Sequence, residues 1–202
     1  MLRPLSVLTL LSSAAAAAPA AATTLELDFQ GNGGFGLLPG NEVGANTSLG
    51  TDSPAFGGEA GDGLVYDTDR NVLSFDFSFE GLTGGLADIA SGIHLHLGQP
   101  GLDPFNETGG IVFNLNAPDE NVTLTTPNIG FGEAFTAGRV TGEAQLTDAQ
   151  ESNLLDGQIY LNIHSGGFAG GELRGNLVTV PEPASAALLT LGGLMIARRL
   201  RG

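Results

Sequence analysis

Three histidines are the only imidazoles in the chain, and their spacing suits metal chemistry. Two stand in Ile93-His94-Leu95-His96-Leu97, and the third closes Ile159-Tyr160-Leu161-Asn162-Ile163-His164. Each segment alternates apolar and polar residues, the period of a β-strand. His94 and His96 therefore share one face, and Tyr160, Asn162 and His164 share another. Residues two apart on a strand have Cα atoms about 7 Å apart, near enough for two imidazoles to ligate one ion. If the two strands are neighbours, all three rings meet on one polar surface. A three-nitrogen set with an open position suits zinc or copper. Glu172 shares its face with Arg174, opposite Leu173, and is a candidate fourth ligand or a group that orients an imidazole. The structural alternative is that these histidines hydrogen-bond across strands while the Glu172/Arg174 pair caps a sheet edge.

Other chemistry finds little support. There is no Cys, which excludes disulfides, thiolate catalysis and cysteine-ligated metal. No serine lies in a nucleophile-elbow pattern. The run Gly31-Asn32-Gly33-Gly34-Phe35-Gly36 lacks the strand and helix that a phosphate loop needs on either side. Asp67-Thr68-Asp69-Arg70-Asn71 begins like a calcium loop, but Val72 replaces the required Gly and Ser78 the closing Glu, so a solvated turn is expected. No catalytic residue is assigned, and the expectation is a protein that is not an enzyme. The net charge is −15 with seven basic residues, all of them Arg. Four lie near the chain ends, leaving only Arg70, Arg139 and Arg174 between. Without a basic surface a nucleic-acid partner is excluded.

The elements that must position the histidines read as short strands between Gly-rich turns. Thr24 to Phe29 alternates as a first strand. Gly31 to Gly63 reads as turns and loop with at most one irregular strand. Leu73, Phe75, Phe77 and Phe79 alternate with Ser74, Asp76, Ser78 and Glu80 and should anchor the core. Further strands are expected at Ile93–Leu97, Ile111–Leu115, Val122–Thr125, Val140–Leu146, Ile159–His164 and Glu172–Val178. One helix is expected: Thr147-Asp148-Ala149-Gln150 has capping-box form, and Gly157 suits its end after Leu154-Leu155. The pattern predicts an all-β fold, an antiparallel Greek-key-like β-sandwich with one short helix.

Both ends read as addresses. Met1-Leu2-Arg3, the apolar Leu5–Leu11 and the small-residue run Ala14–Ala22 have the layout of a cleaved signal peptide over residues 1–22. At the other end, Val180-Pro181-Glu182-Pro183 precedes apolar Ala184–Ala197 and then Arg198-Arg199-Leu200-Arg201. As a helix that apolar run spans about 21 Å, short of the roughly 30 Å hydrocarbon core. A marginal span behind Pro181, Glu182 and Pro183 suits transient insertion in the membrane before processing. Residues 179–202 closely resemble the bacterial PEP-CTERM sorting signal. That resemblance implies an exosortase-type processing enzyme as partner and an exopolysaccharide-producing Gram-negative bacterium as host. It places the protein in the cell envelope, on the outer surface or outside the cell.

The span between, residues 23–178, resembles a CHRD domain, the module named after chordin. The likeness is carried by Ser91-Gly92-Ile93-His94-Leu95-His96-Leu97-Gly98-Gln99-Pro100-Gly101, Gly109-Gly110-Ile111-Val112-Phe113 and Ala144-Gln145-Leu146-Thr147. It continues through Leu155-Asp156-Gly157-Gln158-Ile159-Tyr160-Leu161-Asn162-Ile163-His164 and Gly170-Gly171-Glu172-Leu173-Arg174-Gly175. Phe168-Ala169 departs from the family, which usually has Pro before the Gly pair. The resemblance implies an extracellular all-β module and supplies no enzymatic activity. Two function classes follow. The leading one is a non-enzymatic binding or matrix-associated protein, with exopolysaccharide or other surface proteins as partners. The alternative is an extracytoplasmic copper or zinc protein built on His94, His96 and His164, with redox activity open.

Overall fold

Alternation along the chain produces strands, and their pairing produces one sheet. The structure is a computed structural model that describes residues 23–44, 52–87, 92–115, 122–125 and 135–181. The expected signal peptide, Glu182, Pro183 and the apolar tail lie outside the described residues. Within them no helix is long and apolar enough to cross a membrane. The strands are β1 (Thr24–Gly31), β2 (Gly34–Phe35), β3 (Phe56–Asp67), β4 (Val72–Glu80) and β5 (Ile93–Leu97). They continue as β6 (Ile111–Asn114), β7 (Val122–Thr125), β8 (Gly138–Gln145), β9 (Ile159–Ile163) and β10 (Leu173–Thr179), with the helix α1 (Asp148–Leu155) between β8 and β9.

All pairings are antiparallel, in the order β6-β5-β9-β10-β1-β3-β4-β8-β7, with β2 added to β1. This corrects the sandwich expectation. Two packed sheets would leave a break in the ladder, whereas β1 joins β10 on one side and β3 on the other. The single sheet is nearly closed and barrel-like, and it wraps one apolar cluster. Phe75, Phe77 and Phe79 of β4 all point into that cluster, and Phe77 meets Phe29 edge-on with centroids 5.9 Å apart. Full burial of each such side chain stabilises the fold by about 1.5–3 kcal/mol.

The first half of β3 is where the sequence misleads. Phe56 to Gly63 reads as loop because its residues are mostly exposed or Gly, without an apolar alternation. Yet it pairs with β4 from Phe56↔Glu80 to Glu59↔Phe77, then bulges before resuming at Leu64↔Phe75. A Cβ on Gly57 would lie 2.5 Å from the Ser78 carbonyl oxygen, so only Gly permits the approach. The bulge adds local bend, which helps the sheet curl round its core. Expected elements elsewhere are present, including the helix. Thr147 Oγ1 accepts from the Gln150 backbone N–H, while the Gln150 side chain accepts from the Thr147 backbone N–H, forming both arms of the capping box. Asp67–Asn71 is a turn, with Asp67 Oδ1 accepting from the N–H groups of Asp69 and Arg70.

Candidate metal centre

Three adjacent strands carry the histidines, and their register decides which side chains meet. On β5, β9 and β10, Ile93, Leu95, Leu161, Ile163, Leu173 and Leu177 face the apolar core. The opposite face is a polar lattice. His96 lies across from Tyr160, which lies across from Asn176; His94 lies across from Asn162, which lies across from Arg174. His164 follows β9 and donates its backbone N–H to the Gly92 carbonyl at 2.8 Å. Gly92 has no side chain, so the row containing His164 is open on the β5 side.

The three rings converge. One ligand nitrogen from each of His94, His96 and His164 lies within 4.8 Å of the others, and ring centroids are 5.1 to 6.2 Å apart. Two rings are fixed by their Nδ1 atoms, at 3.0 Å from the Gly109 carbonyl for His96 and 2.8 Å from the Ala169 carbonyl for His164. A carbonyl can only accept, so in each ring Nδ1 carries the proton and Nε2 carries the lone pair. Both Nε2 atoms are buried without a hydrogen-bond partner. Metal-ligating imidazoles have this arrangement, with one nitrogen donating to a fixed acceptor and the other free for the ion. Burial, with added repulsion from His164 and Arg174, lowers the His96 pKa and favours the neutral ring that a metal requires.

The face was expected at the surface, and it is not there. His94 is 6% exposed and His96 9%, with Asn162, Arg174 and Asn176 at 5% or below. The 99–110 segment covers one side: the Pro104 carbonyl accepts from Arg174 Nη2 and Asn176 Nδ2, and the Leu102 carbonyl accepts from Gln158. The Gly109 peptide links two of the aromatic groups. Its carbonyl holds His96, and its N–H donates to Tyr160 Oη at 3.1 Å. The Tyr160 ring stacks on His96, with centroids 5.0 Å and planes 8° apart, and the Arg174 guanidinium lies 3.7 Å from its centroid. A Cβ on Gly109 would fall 1.5 Å from the Leu97 carbonyl oxygen, which admits only Gly. His164 is partly exposed and marks the approach to the cluster.

Glu172 is buried but faces another task. Its Oε1 accepts from Ser53 Oγ at 2.5 Å and Thr83 Oγ1 at 2.7 Å, and its Oε2 accepts from the Thr83 N–H at 3.0 Å. Burial alone would raise its pKa, but hydrogen bonds from Ser165, Ser53 and Thr83 hold it below the usual carboxylate range. The structure thus joins Glu172 to two neighbouring segments, and the converging nitrogens come from the histidines alone. Pro181 is exposed just beyond β10.

Glu42 escaped the sequence reading. It follows the 3-10 turn Pro39–Asn41 in a stretch that reads as loop, and no periodicity points to it. It is 4% exposed and accepts from Asn162 Nδ2 at 3.3 Å. Burial raises its pKa to about 8, against the opposing effects of Arg174 and the hydrogen bonds from Asn162 and the Val43 N–H. Asn41 pins the same turn to the sheet, donating from Nδ2 to the Arg174 carbonyl at 3.0 Å.

Fold and site together define a class: a curled antiparallel β-domain with a three-imidazole cluster in a covered polar layer. The CHRD domain family model matches residues 37–177, and the chain belongs to the CHRD domain family. No curated protein and no solved structure matches it.

Proposed function

We propose that this CHRD domain protein is an exported metal-binding module that holds one zinc or copper ion through His94, His96 and His164. The observation that carries the reading is the pair of buried Nε2 atoms on His96 and His164, each left without a partner by a ring fixed through Nδ1. An unmade bond on a buried polar atom costs about 1–3 kcal/mol, and an ion between the rings would satisfy both at once. Tyr160 and the Gly109 peptide orient His96, and the Ala169 carbonyl orients His164. A bound zinc would supply Lewis acidity, and copper one-electron chemistry. The reading is metal retention rather than catalysis.

The address belongs to the same proposal. The 1–22 segment directs export, and residues 179–202 hold the chain in the membrane until an exosortase-type enzyme processes it. The mature domain then resides in the envelope or outside the cell, beside exopolysaccharide and other surface proteins. Its acidic surface favours solubility and draws cations towards it.

The test is the metal content of the full chain, purified without a His tag and reconstituted with copper or zinc, then desalted and analysed by mass spectrometry. One ion per chain is expected, lost when His94, His96 and His164 are all changed to Ala in a protein that still melts cooperatively. A folded wild-type chain that retains no metal would remove this reading and leave a metal-free binding or matrix protein.

A further inference from the structure

The polar layer beside the imidazoles contains a buried positive charge without an ion pair. Arg174 is 1% exposed, and its hydrogen bonds go to neutral groups, while Glu42 and Glu107 act on it only through space. Its Nε donates to Asn176 Oδ1 at 3.3 Å, its Nη2 to the Pro104 carbonyl at 3.0 Å, and its plane rests on Tyr160. Among the described residues no carboxylate lies within ion-pair distance of it. Arg174 Nη1 is buried and has no hydrogen-bond partner. Its register neighbour Asn162 leaves Oδ1 in the same state, and Glu42, bonded to Asn162 through Oε2, leaves Oε1 so.

Three neighbouring residues, each lacking one bond, leave unmet hydrogen-bonding capacity side by side. Buried polar groups are satisfied in the great majority of structures, and a buried cation left unpaired is more costly than a neutral group. Water would fill the bonds but not the charge. Burial keeps the Glu42 carboxyl protonated to about 8, so at neutral pH it offers a donor rather than a counter-ion. The unmet set is then two donors, one of them cationic, and one acceptor.

We propose that Arg174, Glu42 and Asn162 form a seat for a small oxyanion bearing one hydroxyl, of the bicarbonate type. Arg174 Nη1 neutralises the anion and donates to one oxygen, the Glu42 carboxyl donates to another, and Asn162 Oδ1 accepts from the hydroxyl. The planar guanidinium suits an oxyanion better than an ammonium would. Asn162 lies across from His94 and two residues before His164, so the seat adjoins the strand pair that carries the imidazoles. Only the further step, in which the anion completes the coordination of a bound ion, rests on the metal-binding reading.

The test uses the full chain stripped of metal with a chelator, titrated with bicarbonate at constant ionic strength against chloride and followed by calorimetry and thermal melting. Saturable one-to-one binding with a rising Tm is expected, and formate, which lacks the hydroxyl, should bind at least tenfold more weakly. Asn162→Asp places a carboxylate beside Arg174 and should fold with its bicarbonate response abolished. Arg174→Lys keeps the charge without the fork and should weaken binding tenfold or more. No saturable bicarbonate response in the wild-type chain, or an undiminished one in folded Asn162→Asp, overturns the seat. Because the protein is metal-free, the result stands apart from the metal analysis. Metal binding without a bicarbonate response sinks the seat alone, and the reverse sinks the metal reading alone.

Discussion

Glu42 makes the stability of this protein depend on pH, with a sign that is easily checked. In the folded chain the carboxyl holds its proton up to about 8, whereas its ordinary value is 4.5. Between those values the native state binds a proton that the unfolded chain has released, so stability falls as pH rises through the window and levels off above it. Each factor of ten in proton affinity is worth about 1.4 kcal/mol, so the full span comes to roughly 5 kcal/mol. That is a large share of the 5–15 kcal/mol typical of a domain. Glu42→Gln preserves an oxygen for Asn162 and cannot ionise. Urea unfolding of metal-free wild type and Glu42→Gln at intervals from pH 4.5 to 9 is the assay. The two curves should be closest at the acid end and separate steadily, with the variant more stable by several kcal/mol at pH 9. Glu59, raised to about 7 chiefly by burial and by Asp28, tilts both proteins the same way. His96, whose pKa burial lowers, instead costs both of them stability as pH falls. Both contributions cancel in the difference. A difference that stays flat across the window, or that favours the wild type at high pH, refutes the reasoning.

Other expectations concern the site and its supports. Saturating metal should raise stability by about 2.7 kcal/mol at a free concentration of 100 Kd, so Tm should climb with metal concentration and fall back on chelation. Gly109→Ala forces a shift against the Leu97 carbonyl and moves the acceptor of His96. A loss of 10–100-fold in metal affinity is expected, read by competition with a coloured chelator. Phe77→Ala should cost about 3–5 kcal/mol in chemical denaturation, since the ring is buried against Phe29. Thr147→Ala removes one arm of the capping box and should cost about 1 kcal/mol, with the metal content unchanged.

Much of this architecture is legible because strand alternation is a local signal. The bounds of β5 and β7 match the expected segments, and β1, β4, β6, β8, β9 and β10 differ from theirs by two residues or fewer at either end. The capping box at Thr147 is equally local, since its partners are three residues apart. The first half of β3 fails for a physical reason. Its Gly residues serve close backbone approach and a bulge, and those requirements leave no periodic apolar mark. The sandwich expectation fails because alternation says which face of a strand is buried but not which strand lies beside it.

The candidate site divides along the same line. By itself the sequence determined that His94 and His96 share a strand face, that His164 shares one with Tyr160 and Asn162, and that its 202 residues offer no Cys for thiolate or disulfide chemistry. Those facts follow from residue types and a period of two. Only the tertiary structure decided that β5 and β9 are neighbours in the register that brings the three rings together. It also decided that the 99–110 segment buries them, and that Glu42, some fifty residues from His94 in the chain, lies against Asn162. These are contacts between distant segments, chosen by the total burial of the fold, and no local pattern encodes them.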